Sequence, residues 1–89
     1  MAAKKILMFT MEDCPYCRQA LRWMDELTRD FPEYAEIEIE KIDETVYPEI
    51  ADRYDYYYVP TYYVGNEKLH EGIATKEKVQ RVFECALKG

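Results

Sequence analysis

Lys5-Ile6-Leu7-Met8-Phe9-Thr10-Met11-Glu12-Asp13-Cys14-Pro15-Tyr16-Cys17 is the stretch from which the fold can be read. Lys5 to Thr10 is a short apolar run of the kind that forms a buried strand. Met11-Glu12-Asp13 interrupts it, and from Pro15 the pattern turns helical. Cys17, Ala20, Leu21, Met24, Leu27 and Phe31 recur at spacings that line one helix face. Pro15 suits the first helical position, where its missing N–H has no partner to lose. Pro32 ends the run.

Two cysteines at i and i+3, at a helix start, lie within disulfide reach, and the helix treats them unequally. Cys14 sits at or just before the first turn, facing unpaired backbone N–H groups and the positive end of the dipole. Those groups stabilise a thiolate, the nucleophilic form. Cys17, one turn in, faces the core. Cys14 is therefore expected to attack a substrate disulfide and Cys17 to resolve the mixed disulfide. Other chemistries fit less well. A zinc site needs about four ligands, and the remaining soft or imidazole candidates, Cys85 and His70, form no second close pair. A c-type haem site needs His directly after the second cysteine, where Arg18 stands. A structural disulfide across so small a loop would stabilise little.

Composition narrows the class. With 89 residues, 48% of them apolar and 34% charged, the chain reads as one domain over 1–89, able to bury roughly 60–70% of its unfolded surface. Twelve basic against eighteen acidic residues give a net charge of −6 with no basic run, which argues against nucleic acid as the main partner. No apolar run approaches the roughly 20 residues that cross a bilayer, so no membrane partner is expected. Met1 to Phe9 lacks a small-residue cleavage site, so a cytoplasmic location is expected. Three cysteines, an odd count, do not suit a disulfide-stapled secreted scaffold.

Beyond the first helix, Ala35 to Ile42 alternates Ile37, Ile39 and Ile42 with Glu36, Glu38 and Glu40. This predicts a strand with one solvated face, near a sheet edge. Pro48 to Tyr54 reads as a short helix with Thr45 as its cap. Tyr57 to Val64 is β-branched and aromatic, a strand interrupted by Pro60. Gly65-Asn66 turns the chain, and Lys68 to Glu71 returns as a hairpin. Thr75 caps a last helix whose stripe is Val79, Val82, Phe83, Ala86 and Leu87. The order β-α-β-α-β-β-α gives an α/β fold. Its first two strands are parallel, joined by a right-handed crossover, in a mixed four-stranded sheet with helices on both faces. Trp23 lies off the first helix's stripe and is expected to be half exposed. Cys85 is expected as a small filler, and His70 as a strand or turn residue. Tyr54, Tyr56, Tyr57, Tyr58, Tyr62 and Tyr63 cluster around Pro60. The simplest reading packs them beneath the helices, and the alternative makes them an aromatic rim for a protein partner.

Cys14-Pro15-Tyr16-Cys17 and, some forty residues later, Val59-Pro60-Thr61 are motifs on which the chain resembles the glutaredoxins, within the thioredoxin-fold superfamily. The resemblance covers nearly the whole chain. Only thirteen residues precede Cys14, enough for one strand, where thioredoxins usually carry a further strand and helix. Asp13 stands where thioredoxins have tryptophan. The resemblance implies a thiol–disulfide oxidoreductase of thioredoxin-like (glutaredoxin) fold, monomeric, with no bound cofactor or metal. Its substrates would be protein disulfides or glutathione mixed disulfides, with glutathione as co-substrate. It further implies that Pro60 is cis and packs beside the dithiol, that the Val59 N–H and C=O pair with substrate backbone, and that Tyr16 lies beside the substrate sulfur.

The glutathione site carries over in part. Met11 stands where glutaredoxins usually have lysine, and of their glycine pair only Gly72 remains, in His70-Glu71-Gly72-Ile73-Ala74-Thr75. The Thr75 and Lys76 amides would hold one glutathione carboxylate and Arg53 the other. Small glutaredoxin-like proteins that act as thioredoxins share this short build, so a thioredoxin reductase stands beside glutathione as electron donor. An iron–sulfur-binding glutaredoxin is a further reading, against which Pro15 and Cys17 argue.

Overall fold

The computed structural model describes residues 4–88. Its strands are β1 (Ile6–Thr10), β2 (Ile39–Asp43), β3 (Thr61–Val64) and β4 (Glu67–Glu71), and its helices α1 (Pro15–Asp30), α2 (Pro48–Ala51) and α3 (Lys76–Lys88). The sheet order is β2-β1-β3-β4. β1 and β2 are parallel, Ile6 opposite Ile39 and Thr10 opposite Asp43. β1 and β3 are antiparallel, Ile6 opposite Val64 and Phe9 opposite Thr61. β4 closes a hairpin on β3, with a register irregularity between Tyr62 and Tyr63. The topology is the expected thioredoxin-like one.

The period of two along the strands explains the layers. Ile6 and Met8 of β1 and Tyr62 and Val64 of β3 face one side. There they pack with Ala20, Met24 and Leu27 of α1 and Val79, Val82, Phe83 and Ala86 of α3. Phe9, Ile42 and Tyr63 face the other side, covered by Ala51 of α2 and the half-buried Tyr54 and Tyr56. Fully burying one such side chain is worth about 1.5–3 kcal/mol, and the α1–α3 face holds most of them. This double cover fixes the C-terminal end of β1, and with it the loop that carries Cys14.

Several local expectations are corrected. The alternating stretch does not become one strand. Pro32–Glu36 forms a 3-10 turn, and β2 begins only at Ile39. Tyr34 in that turn is buried against Phe83 with ring centroids 5.1 Å apart, and Gln80 Nε2 donates to its hydroxyl at 3.3 Å while that hydroxyl donates to Glu84. A tertiary anchor of this kind outweighs strand propensity. Thr45 does not cap α2. Its amide and hydroxyl both go to the Asp43 carboxylate, and the N-cap position is Tyr47, which makes no side-chain cap. β3 starts at Thr61, because the chain around Pro60 has no ladder partner upstream. Phe31 leaves the helical stripe and ends α1, 39% exposed. Cys85 is exposed rather than a filler. As expected, β2 is an edge strand, Trp23 is half-buried, His70 is a strand residue on β4, and Glu36, Glu38 and Glu40 face solvent.

Candidate active site

α1 opens with Cys14 itself as the N-cap residue, in extended conformation, followed by Pro15 at the first position. The Cys17 N–H donates to Cys14 Sγ at 3.2 Å, so the sulfur occupies the place a serine or aspartate oxygen takes at ordinary helix starts. The Cys14 amide is tied back to the Met11 carbonyl at 3.2 Å. The sulfur therefore sits in a field that favours negative charge. Cys17 has the opposite surroundings. It is 1% exposed against 6% for Cys14, and both thiols are free. Burial, reinforced by the Cys14 sulfur, pushes the Cys17 thiol up to about 11, against the opposing pull of the Thr10 hydroxyl and the Met11 backbone.

Across from the dithiol, the Val59–Pro60 peptide bond is cis, as the resemblance implied, and the Val59 carbonyl oxygen lies 3.9 Å from Cys14 Sγ. The Val59 N–H has no partner among the described residues. The chain before it is held at several points. Tyr63 Oη and Lys68 Nζ both donate to the Asp55 carbonyl, at 2.7 and 3.2 Å. The Glu71 carboxylate accepts the amides of Tyr57 and Tyr58. Thr61, fully buried, donates its hydroxyl to the Tyr58 carbonyl. Gly72 donates to the Pro60 carbonyl at 2.9 Å from a φ of +89°, a region that favours glycine. Lys68, then the amides of Tyr57 and Tyr58, hold the Glu71 carboxyl down at about 2.

The structure thus brings Cys14, Cys17, Val59 and Pro60 together, with Tyr16 on the first turn of α1 and 54% exposed. It treats the residues expected to hold glutathione differently. Arg53 lies in the exposed turn after α2 rather than on it, and makes no ion pair among the described residues. The Thr75 hydroxyl caps α3 by accepting from the Lys78 amide at 3.2 Å. Lys76 pairs with Glu26 of α1 at 2.8 Å. Roles that the motifs did not reveal are those of Thr10, whose hydroxyl at the end of β1 opposes the rise of the Cys17 thiol, and of Glu71 and Thr61, which clamp the Val59 loop. Only the pairing of β4 with β3 shows that Glu71 lies beside Tyr57.

The glutaredoxin family profile matches residues 6–69, from β1 to the middle of β4. The chain belongs to the glutaredoxin family. Two archaeal proteins are similar to this glutaredoxin-family chain along most of their length. One from Methanocaldococcus jannaschii named Thioredoxin is 32% identical over 87 residues, 98% of this chain and the whole of that protein. One from Methanothermobacter marburgensis named Probable Thioredoxin is 35% identical over 80 residues, 79% of this chain and 92% of that protein. Among solved structures, oxidised thioredoxin O1 from Arabidopsis thaliana superposes with a TM-score of 0.71 at 21% identity, covering 97% of this chain and 79% of that one. Fasciola hepatica thioredoxin does so with 0.71 at 18% identity, covering 96% and 82%. At these identities the solved structures speak for the fold, which is that of thioredoxin. The family is one of thiol–disulfide oxidoreductases, and the Cys14–Cys17 pair lies at the start of α1. Among the described residues, no group of His, Cys, Asp and Glu is arranged to hold a metal ion.

Proposed function

We propose that this protein is a dithiol–disulfide oxidoreductase that reduces disulfides in other proteins and takes its electrons from a reductase. The observation that carries the reading is the inequality of the two sulfurs. Cys14 Sγ accepts the Cys17 amide at the helix start and looks out on Val59, while Cys17 is buried with its thiol pushed up to about 11. In the first step the Cys14 thiolate attacks one sulfur of the substrate disulfide. That bond breaks, a Cys14 mixed disulfide forms, and the departing sulfur leaves as a thiolate that takes a proton from solvent. In the second step Cys17 attacks Cys14 Sγ, its proton passing to the second substrate sulfur as that sulfur leaves. Two electrons have then moved to the substrate, and the protein holds a Cys14–Cys17 disulfide for an external dithiol to reduce. Val59, with a free N–H and a carbonyl beside the reacting sulfur, orients the substrate backbone as an added strand.

Two archaeal relatives named as thioredoxins support a reductase as donor, as does the commitment of Lys76 to Glu26 and of Lys68 to Glu71. The second reading, glutathione as donor, is favoured by the match to the glutaredoxin profile and by the exposed Arg53. The test mixes reduced protein with a disulfide-bearing peptide in a single turnover and follows adducts by mass. In a Cys85→Ala background, which removes the exposed third thiol, Cys14→Ser should form no adduct, and Cys17→Ser should stop at the mixed disulfide. An adduct formed through Cys17 in Cys14→Ser would overturn the assignment. Coupling turnover to thioredoxin reductase, or to glutathione with its own reductase, decides the donor.

A further inference from the structure

The dithiol is flanked by an aromatic surface with nothing packed on it. Tyr57 is 84% exposed and Tyr58 70%, though their amides are held firmly by Glu71. Rigid backbone bearing two solvent-facing rings directly before a reactive-site residue is the form of a docking surface. Beside it runs a groove of about 330 Å³ lined by Glu44, Asp52, Tyr54, Asp55, Tyr56 and Tyr57 together with Pro48 and Ala51. No Lys, Arg or His lines it. Its position relative to the chemistry follows from the chain. On one side the Glu44 amide is bound to the Thr10 carbonyl at 3.0 Å, and Thr10 ends β1 just before the loop that carries Cys14. On the other side Tyr57 stands two residues from Val59, a span of at most about 7 Å.

We propose that this face docks an extended segment of the substrate protein, seats a basic side chain from that segment in the groove, and so makes the protein prefer disulfides flanked by lysine or arginine. The proposal rests on the protein-disulfide reading above. A strand added at Val59 runs in one direction over Tyr58 and Tyr57, whose faces attract a cation and whose apolar bodies cover its methylene stem. Three carboxylates converge on that place. Glu44 is fixed there by the Tyr56 hydroxyl at 2.8 Å, and Glu12 and Asp13 add negative charge on the loop before Cys14. A net charge of −6 supplies long-range attraction of the same sign. Complementarity of this kind acts mainly on encounter and on choice of partner. It also disfavours anionic disulfides, glutathione disulfide among them.

The experiment uses two peptide disulfides identical except for two residues beside the cysteine, lysines in one and glutamates in the other. Each rate with the reduced protein is divided by its rate with dithiothreitol, which removes the peptides' intrinsic difference. The lysine peptide should react about tenfold faster at low ionic strength. Most of that ratio should vanish when the Debye length falls to about 3 Å. The double variant Asp52→Asn with Asp55→Asn should cut the ratio at least threefold. Glu33→Gln with Glu36→Gln, on the exposed 3-10 turn, removes equal charge elsewhere and should leave the ratio nearly unchanged. A wild-type ratio near one overturns the proposal, as does an equal drop in both double variants. Reduction of neither peptide would instead overturn the protein-disulfide reading itself.

Discussion

Glu71, on edge strand β4, accepts through one carboxylate oxygen the backbone amides of both Tyr57 and Tyr58, the two residues that lead into Val59. Its other oxygen takes Lys68 Nζ at 2.8 Å, and the same ammonium donates to the Asp55 carbonyl. One carboxylate thus couples the hairpin to the loop that faces the reactive sulfur.

This clamp sets an acid limit. The Glu71 carboxyl is held at about 2 in the folded protein against 4.5 for an ordinary glutamate. Its contribution to stability is present above pH 4.5 and is lost as pH falls through about 2. Glu71→Gln should therefore flatten the fall in Tm between these values and speed hydrogen exchange at the Tyr57 and Tyr58 amides. Superposable acid arms for variant and parent would show that the clamp contributes nothing.

Selective alkylation follows from the unequal thiols. In a Cys85→Ala background, which removes the exposed third thiol, iodoacetamide at neutral pH should modify Cys14 alone. Cys17 should react only as pH climbs toward 11, where its thiol ionises. Peptide mapping by mass reads the site, and labelling of Cys17 first would reverse the assigned roles.

The same thiol sets a limit on the alkaline side. Cys17 is raised from 9.0 to about 11 on folding, so the stability it contributes is complete below pH 9 and is lost as pH rises through 11. Tyr62, pushed up chiefly by burial, and Tyr56, pushed up by burial and by Glu44, act in the same direction at higher pH. Cys17→Ala should leave Tm more nearly constant between pH 9 and 10, measured on the reduced protein. An unchanged slope would mean the thiol ionises there without cost.

Gly72 tests the other tether of the Val59 loop. A Cβ at this position would meet Tyr58 Cβ at 3.8 Å, an ordinary contact, so the obstacle is the φ of +89° rather than space. Gly72→Ala should cost about 1–3 kcal/mol, read from the urea midpoint. It should also weaken the 2.9 Å bond from Gly72 to the Pro60 carbonyl.

What the sequence alone determined is local. The strand–loop–helix passage through Cys14 and Cys17, the apolar stripes of α1 and α3, and the turn at Gly65-Asn66 depend on residues a few positions apart, and their periodicities were legible for that reason. The cis proline loop was legible only through resemblance, since nothing in Val59-Pro60-Thr61 by itself selects the isomer. Other features depend on residues far apart in the chain. Tyr57, Tyr58, Tyr62 and Tyr63 are the same residue type within seven positions, yet two are open to solvent and two are buried. The difference comes from the pairing of β3 between β1 and β4, which assigns Tyr62 to one face of the sheet and Tyr63 to the other and begins only after Pro60. Ala35 and Glu36 likewise leave the expected strand for a 3-10 turn, because Tyr34 beside them is anchored on Phe83, far along the chain. Pairing register and side-chain contact between distant segments carry no local pattern, so Glu71 beside Tyr57, and the groove that brings Glu44 together with Asp52, Asp55 and Tyr57, exist only in the folded chain.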